Sequence, residues 1–234
     1  PQELKAISSL QDGVTAYDRG DLKTAARVFE NYLMKYPSDA MAMYMLGATY
    51  LEMKQYIPAE NILKQAIKIQ PKKADIHLGL AKTYIMQDKL AEALPELEKY
   101  VKLKPGDKSA LKPLGTVYYA LGKKDKAIAT FRSAAKAYPK SGELAFMLGI
   151  TLLEAEKYSE AEKQLANAVA LTPKKAEAHL ALAKARVFLN NSMGAAAEME
   201  KYLELNPGDT SILSPLAALY HSMGQDEKAE KLFE

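Results

Sequence analysis

Six prolines, Pro37, Pro71, Pro105, Pro139, Pro173 and Pro207, stand 34 residues apart along a chain of 234 residues. A single globular core gives no reason for such a ladder, whereas a supersecondary unit that stacks on copies of itself does. With each proline as the thirty-second residue of a unit, the repeats fall at 6–39, 40–73, 74–107, 108–141, 142–175 and 176–209, and a partial seventh occupies 210–234. Two more columns keep the same phase. The eighth position reads Gly13, Gly47, Ala81, Gly115, Gly149, Ala183 and Ala217, and the twentieth is alanine throughout, from Ala25 to Ala229. Side chains this small let backbones approach, so the two columns are expected to mark where two segments of each unit touch.

Both segments have the helical period. In the unit from Ala40, residues Met43, Leu46, Gly47 and Tyr50 share one helix face, Lys54, Gln55 and Tyr56 interrupt it, and Ala59, Leu63 and Ala66 carry a second stripe. Gly20, Gly122 and Gly224 fall at the interruption. The proline at position 32 ends the second helix, because it has no N–H to donate and disfavours helix in the residue before it. Alternating β-branched runs and Asn-Gly hairpins are absent from the sequence, so the chain is expected to be all-α. Pro113 and Pro215 stand at the sixth position of their units, where a first helix of full length would need their N–H; those two helices are expected to begin late or bend.

A longer period lies over the first. The phrase PKKADIHLGLAK at 71–82 returns as PKKAEAHLALAK at 173–184, identical at nine of twelve positions and displaced by 102 residues, which is three units. A block of three repeats was duplicated, and it carried His77 and His179 to the same fourth position.

Charge and composition remove several function classes. The 32 basic and 29 acidic side chains leave a net charge of +3 with no block of like charges, so the electrostatic footprint of nucleic-acid binding is missing. With no cysteine there is neither a disulfide framework nor a thiolate metal site. The longest apolar run, Leu144 to Leu153, is about half of what a bilayer span needs. His77 and His179 have no second ligand one turn away and read as packing residues, Glu96 and Glu98 point to different helix faces, and no glycine-rich phosphate loop occurs. Neither an enzyme nor a cofactor or metal is expected. The chain opens at Pro1 without a leader pattern and stops at Glu234 inside a helical one, as a piece of a longer protein would, which leaves bacterial cytoplasm and periplasm equally open. Leu232 and Phe233 lack a following helix to cover them, so self-association through that end is a further expectation.

The 34-residue period, Gly or Ala at the eighth position, Ala at the twentieth, an aromatic residue or Leu at the twenty-fourth and Pro at the thirty-second resemble tetratricopeptide repeats, over nearly the whole chain. The resemblance implies a right-handed α-α superhelical solenoid, one domain over 1–234, acting as a protein–protein interaction scaffold or adaptor. The family's concave groove, lined from the second, fifth, ninth, twelfth and thirteenth positions, would bind a peptide or helix of a partner protein. Carried onto this sequence, those columns put Tyr44, Leu51, Lys82, Ile85, Met86, Lys112, Tyr119, Phe146, Ile150, Lys184 and Phe188 on the groove. Such a lining suits apolar anchors, with the lysines orienting an acidic flank. Relatives that clamp the carboxylate terminus of cytosolic chaperones place asparagines and basic residues at the sixth and ninth positions; the sixth here reads Gln11, Met45, Gly79, Pro113, Met147, Ala181 and Pro215. Departures from the family pattern are Ala16, Leu152 and Arg186 at the eleventh position, Ser9 and Asp12 in the first unit, and Asn190 to Gly194 in place of the usual turn. The first and sixth units are therefore expected to pack less tightly. The competing function class is a structural spacer or self-associating module of a larger secretion or polysaccharide-assembly protein, whose long repeat chains this one is similar to in texture.

Overall fold

The structure, a computed structural model, describes residues 9–233; the repeat start assigned at residue 6 and the chain end at Glu234 lie outside the described residues. Every repeat is a helix pair. The first helices are α1 (Leu10–Asp18), α3 (Ala40–Glu52), α5 (Ala74–Met86), α7 (Leu111–Ala120), α9 (Gly142–Glu154), α11 (Ala176–Phe188) and α13 (Leu213–Ser222). The second helices are α2 (Leu22–Lys35), α4 (Tyr56–Ile69), α6 (Leu90–Leu103), α8 (Lys124–Ala137), α10 (Tyr158–Leu171), α12 (Ser192–Leu205) and α14 (Asp226–Lys231). No strand occurs among the described residues.

Contacts divide the chain into two compact units, Pro1–Leu121 and Gly122–Glu234. In the first, α1 to α6 pack in sequence, α7 lies on α6, and α3 touches both α1 and α5, so first helices are neighbours on one face. In the second, α8 to α14 pack in sequence and α9 touches α11.

The small-residue columns act differently from each other. A side chain on Gly47 would place its Cβ 2.6 Å from Leu63 Cγ, one on Gly149 would meet Leu165 Cγ at 2.6 Å, and one on Gly13 would come within 2.4 Å of the Phe29 ring. The eighth column is thus the seat of the twenty-fourth. The twentieth column is fully buried from Ala25 through Ala195, and each of the two helices contributes one face to the core.

Turn chemistry repeats as strictly as packing. The fifteenth residue of all seven units has positive φ: Gly20, Lys54, Asp88, Gly122, Glu156, Asn190 and Gly224. At Lys54 the N–H bonds Leu51 O and the next N–H, on Gln55, bonds Tyr50 O, the paired closure that satisfies the last carbonyls of a helix. Asn190 and Asn191 make the same two bonds to Val187 O and Arg186 O, and Asn191 then caps α12 through Gly194 N–H. The unusual sequence there builds the usual turn. Two further departures from the family pattern are tied in by polar contacts, although α1 buries only Gly13. Arg186, where tyrosine is customary, reaches Glu162 at 3.1 Å and Glu198 at 2.8 Å, tying α11 to α10 and α12. Ser9 and Asp12 form a reciprocal capping box at the start of α1.

Both prolines at the sixth position do what the sequence requires. α7 and α13 have ten residues where α3, α5, α9 and α11 have thirteen, and a 3₁₀ turn at Thr210–Ile212 precedes α13. Pro113 and Pro215 are each the third helical residue, a place whose N–H has no intrahelical acceptor, so the late start removes the penalty.

Polar side chains bind repeats to one another. The tyrosine hydroxyl at the eleventh position donates to the glutamate at the twenty-fifth position of the preceding unit: Tyr50 to Glu30 and Tyr118 to Glu98 at 2.5 Å, and Tyr220 to Glu200. Burial first, then the adjacent carboxylate, pushes each of these hydroxyls up to about 12. A second ladder joins Tyr32 to Asp39, Tyr100 to Asp107 and Tyr202 to Asp209. Each of these aspartates also accepts a backbone N–H at the start of the next unit, and the Tyr100 and Ser109 bonds hold Asp107 down at about 2.

Candidate binding face

The eleven side chains assigned to the groove all keep contact with solvent, and none belongs to the fully buried core. On the first unit, Tyr44, Leu51, Ile85 and Tyr119 are half-buried and Lys82, Met86 and Lys112 are exposed. On the second, Phe146 and Ile150 are half-buried and Lys184 and Phe188 are exposed. They stand on α3, α5, α7, α9 and α11, all first helices, because positions spaced by three, four and seven residues return to one helix face.

Tyr44, Phe146 and Phe188 are held by contacts from within the chain. Tyr44 lies against α5 at Gly79, where an added Cβ would be 3.4 Å from its ring edge, and burial raises its hydroxyl above the usual tyrosine range. Phe146 packs on the small core of Ala145, Ala168 and Ala178 and carries the Lys175 ammonium 4.6 Å above its ring. Phe188 stacks on Tyr158 with centroids 4.4 Å apart and planes 7° from parallel, yet stays 58% exposed. Rings fixed in this way lose little further freedom on contact with a partner.

A pocket of about 540 Å³ opens beside Phe188. Leu180, Lys184, Val187 and Phe188 form its α11 wall and Met199 of α12 its floor, while Ile212, Pro215, Ala218, Leu219 and Ser222 close the side of the 3₁₀ turn and α13. The sequence reading omitted the seventh unit from the groove. Ala218 and Ser222 continue the ninth and thirteenth columns and were legible by the same rule; Ile212 and Pro215 reach the pocket because α13 starts late.

The histidines pack, as expected, and they also do more. His77 and His179 are 5% and 4% exposed. Each Nε2 donates to a carbonyl in the preceding inter-repeat turn, Pro71 O at 2.9 Å and Pro173 O at 3.0 Å. Each Nδ1 faces a carboxylate on the second helix of its own unit, Glu96 at 2.5 Å and Glu198 at 2.6 Å, and the bond needs a proton between nitrogen and oxygen. These glutamates were missed because they stand 19 residues from their histidines, beyond the reach of any helical spacing rule. Among the described residues no group of His, Asp and Glu is placed to hold a metal, and no helix is long and apolar enough to cross a membrane.

Comparison with known proteins agrees with the paired helices. One tetratricopeptide repeat model matches residues 52–114, and another matches 10–56, 112–176 and 146–210. ETO1-like protein 2 of Arabidopsis thaliana is 28% identical over 202 residues, covering 84% of this chain and 21% of that protein. Cellulose synthase operon protein C of Xanthomonas axonopodis pv. citri is 26% identical over 245 residues, covering 96% and 16%. The chain therefore spans about a fifth of the length of these relatives. Among solved structures, YrrB, described as a protein of this repeat type with an unusual peptide-binding site, aligns with a TM-score of 0.74 at 19% identity, over 86% of this chain and 100% of that one. The C-terminal part of a repeat protein from Cytophaga hutchinsonii aligns at 0.75 and 16% identity, over 96% and 92%. MamA aligns at 0.64 and 24%, over 70% and 90%. These likenesses establish the all-α helix-turn-helix repeat fold, and with one family's models covering most of the sequence, the chain belongs to the tetratricopeptide repeat family.

Proposed function

We propose that the chain is a noncovalent scaffold or adaptor that holds a peptide or helix of a partner protein against its first-helix faces. The observation that carries this reading is the chemistry of those faces: exposed or half-exposed rings and aliphatic side chains in successive first helices, with exposed lysines among them. Proteins of this family are in general interaction scaffolds, and the peptide-binding site of YrrB lends the same fold a precedent. In this reading the repeats act by offering binding surface. Large apolar side chains outside the groove columns, Met34, Ile57 and Met193 among them, are strongly exposed and favour the second reading, a spacer that associates with copies of itself.

Site-specific photo-crosslinking decides between the two. A benzophenone side chain at Ile150, on the first-helix face, should capture a partner protein from an extract of the source organism, and one at Lys136, on an exposed second-helix position, should not. With the captured partner purified, Phe146→Ala and Phe188→Ala should each weaken binding by about 1–4 kcal/mol. Capture from Lys136 alone, or of the chain itself from either position, would favour the spacer.

A further inference from the structure

We propose that each compact unit carries one docking site for the same kind of ligand, a short amphipathic segment of a partner protein with an apolar face bordered by a carboxylate. The two sites are equivalent members of the duplicated block. The proposal rests on the first-helix reading above and names its ligand.

In the second unit the site is the pocket between α11 and α13. Lys184 is the only charged residue among the ten that line it, and it makes no ion pair or hydrogen bond with any described residue. None of the described residues supplies its counter-ion. Nearby Glu177 faces Lys175 at 3.9 Å instead. An ammonium beside an apolar wall is a ready complement for a carboxylate on whatever covers that wall. Leu180, Lys184, Val187 and Phe188 stand at i, i+4, i+7 and i+8, a strip two turns long, about 12 Å at the helical rise. A strip of that length matches successive anchors on a helix or an extended segment better than one compact group.

The first unit carries matching residues 102 positions earlier. Leu78, Lys82, Met86 and Pro113 take the places of Leu180, Lys184, Phe188 and Pro215. Both leucines are half-buried, both lysines are exposed, and Met86 and Phe188 are 55% and 58% exposed. Both prolines delay the facing helix by the same three residues. Lys82, like Lys184, has no ion-pair or hydrogen-bond partner among the described residues, while Asp75, the acid on its helix, is taken up by Lys104 at 2.6 Å. Two matched sites on one chain suit a partner that offers the segment twice, since the second contact then forms at high effective concentration.

The test uses a synthetic 15-residue helical peptide with leucines at i, i+3, i+4 and i+7 and glutamates along one flank, titrated calorimetrically into the whole chain at low salt. Two equivalents should bind. Lys184→Glu and Lys82→Glu should each weaken one site by at least about tenfold and reduce the stoichiometry to one, and the double variant should bind none, with circular dichroism unchanged. The proposal falls if the peptide does not bind, if a version with lysines in place of the glutamates binds as well, or if charge reversal leaves the stoichiometry unaltered. It also falls if sodium decanoate occupies the sites and excludes the peptide, which would make the ligand a fatty acid. Binding that survives both reversals but disappears in Phe146→Ala would sink the paired sites and leave the scaffold reading standing; crosslinking confined to second helices would sink both.

Discussion

Gly13 shows how much one hydrogen in place of a methyl can decide, because an added Cβ would lie 2.4 Å from a Phe29 ring atom. Alanine is the better helix former by about 0.5–1 kcal/mol, yet overpacking a core costs about 1–3 kcal/mol, and a buried ring cannot yield as an aliphatic chain can. Gly13→Ala should therefore lower stability in chemical denaturation, and by more than Gly149→Ala, where the obstacle is the more adaptable Leu165. Equal losses would show that the ring moves freely. The tyrosine and aspartate ladders give a pH dependence at both extremes. Tyr50, Tyr118 and Tyr220 have folded-state values near 12, above the ordinary value of about 10. Their contribution is whole below pH about 10 and is lost as the pH climbs through about 12. Asp107 shifts the other way, to about 2, so its contribution is present above pH about 4 and fades as the pH falls through about 2. Denaturant midpoints measured from pH 9 to 12 should fall, and Tyr50→Phe should flatten that fall; a flat profile in the unsubstituted chain would contradict the assignment.

Element by element, the helices carry two local costs that the fold tolerates. Pro95 sits inside α6, beyond the first turn, where its missing N–H and its ring interrupt the ladder. Pro95→Ala should stabilise the chain by up to about 3 kcal/mol, read as a higher melting temperature. The left-handed turn residue is the other. Lys54, Asp88 and Glu156 adopt φ values of 59°, 58° and 60°, which cost an L-residue about 1–2 kcal/mol. Gly20, Gly122 and Gly224 meet the same requirement without strain. Glu156→Gly should raise stability by several tenths of a kcal/mol once the entropy of glycine is set against the relief. A loss of stability would mean that the Glu156 side chain contributes something beyond its backbone.

For the molecule as a whole, the three-repeat duplication predicts paired consequences. His77 and His179 have matching partners at matching distances, so removing either should cost about the same, on the order of 1–3 kcal/mol for the bonds left unmade. His77→Leu and His179→Leu can be compared by native-state hydrogen exchange, each read in its own unit. Because repeats depend chiefly on their neighbours, the double variant should show both local losses, additive within about 0.5 kcal/mol. Costs that differ by several-fold would mean that the duplicated blocks have diverged in structure.

Much of this was legible in the sequence because a repeat protein has local grammar. The period, the helix pairing, the late starts at Pro113 and Pro215 and the placement of eleven side chains on first helices all follow from spacing, and spacing is a property of one chain segment at a time. The tertiary structure alone decided which residues meet across segments: Gly13 under Phe29 rather than beside Ala25, Ser9 and Asp12 as a cap rather than a defect, Arg186 as a tie rather than a gap, and Glu96 as the partner of His77. Such pairings depend on how two helices settle against each other in distance and rotation. Periodicity fixes the face a residue is on; only packing fixes what it faces.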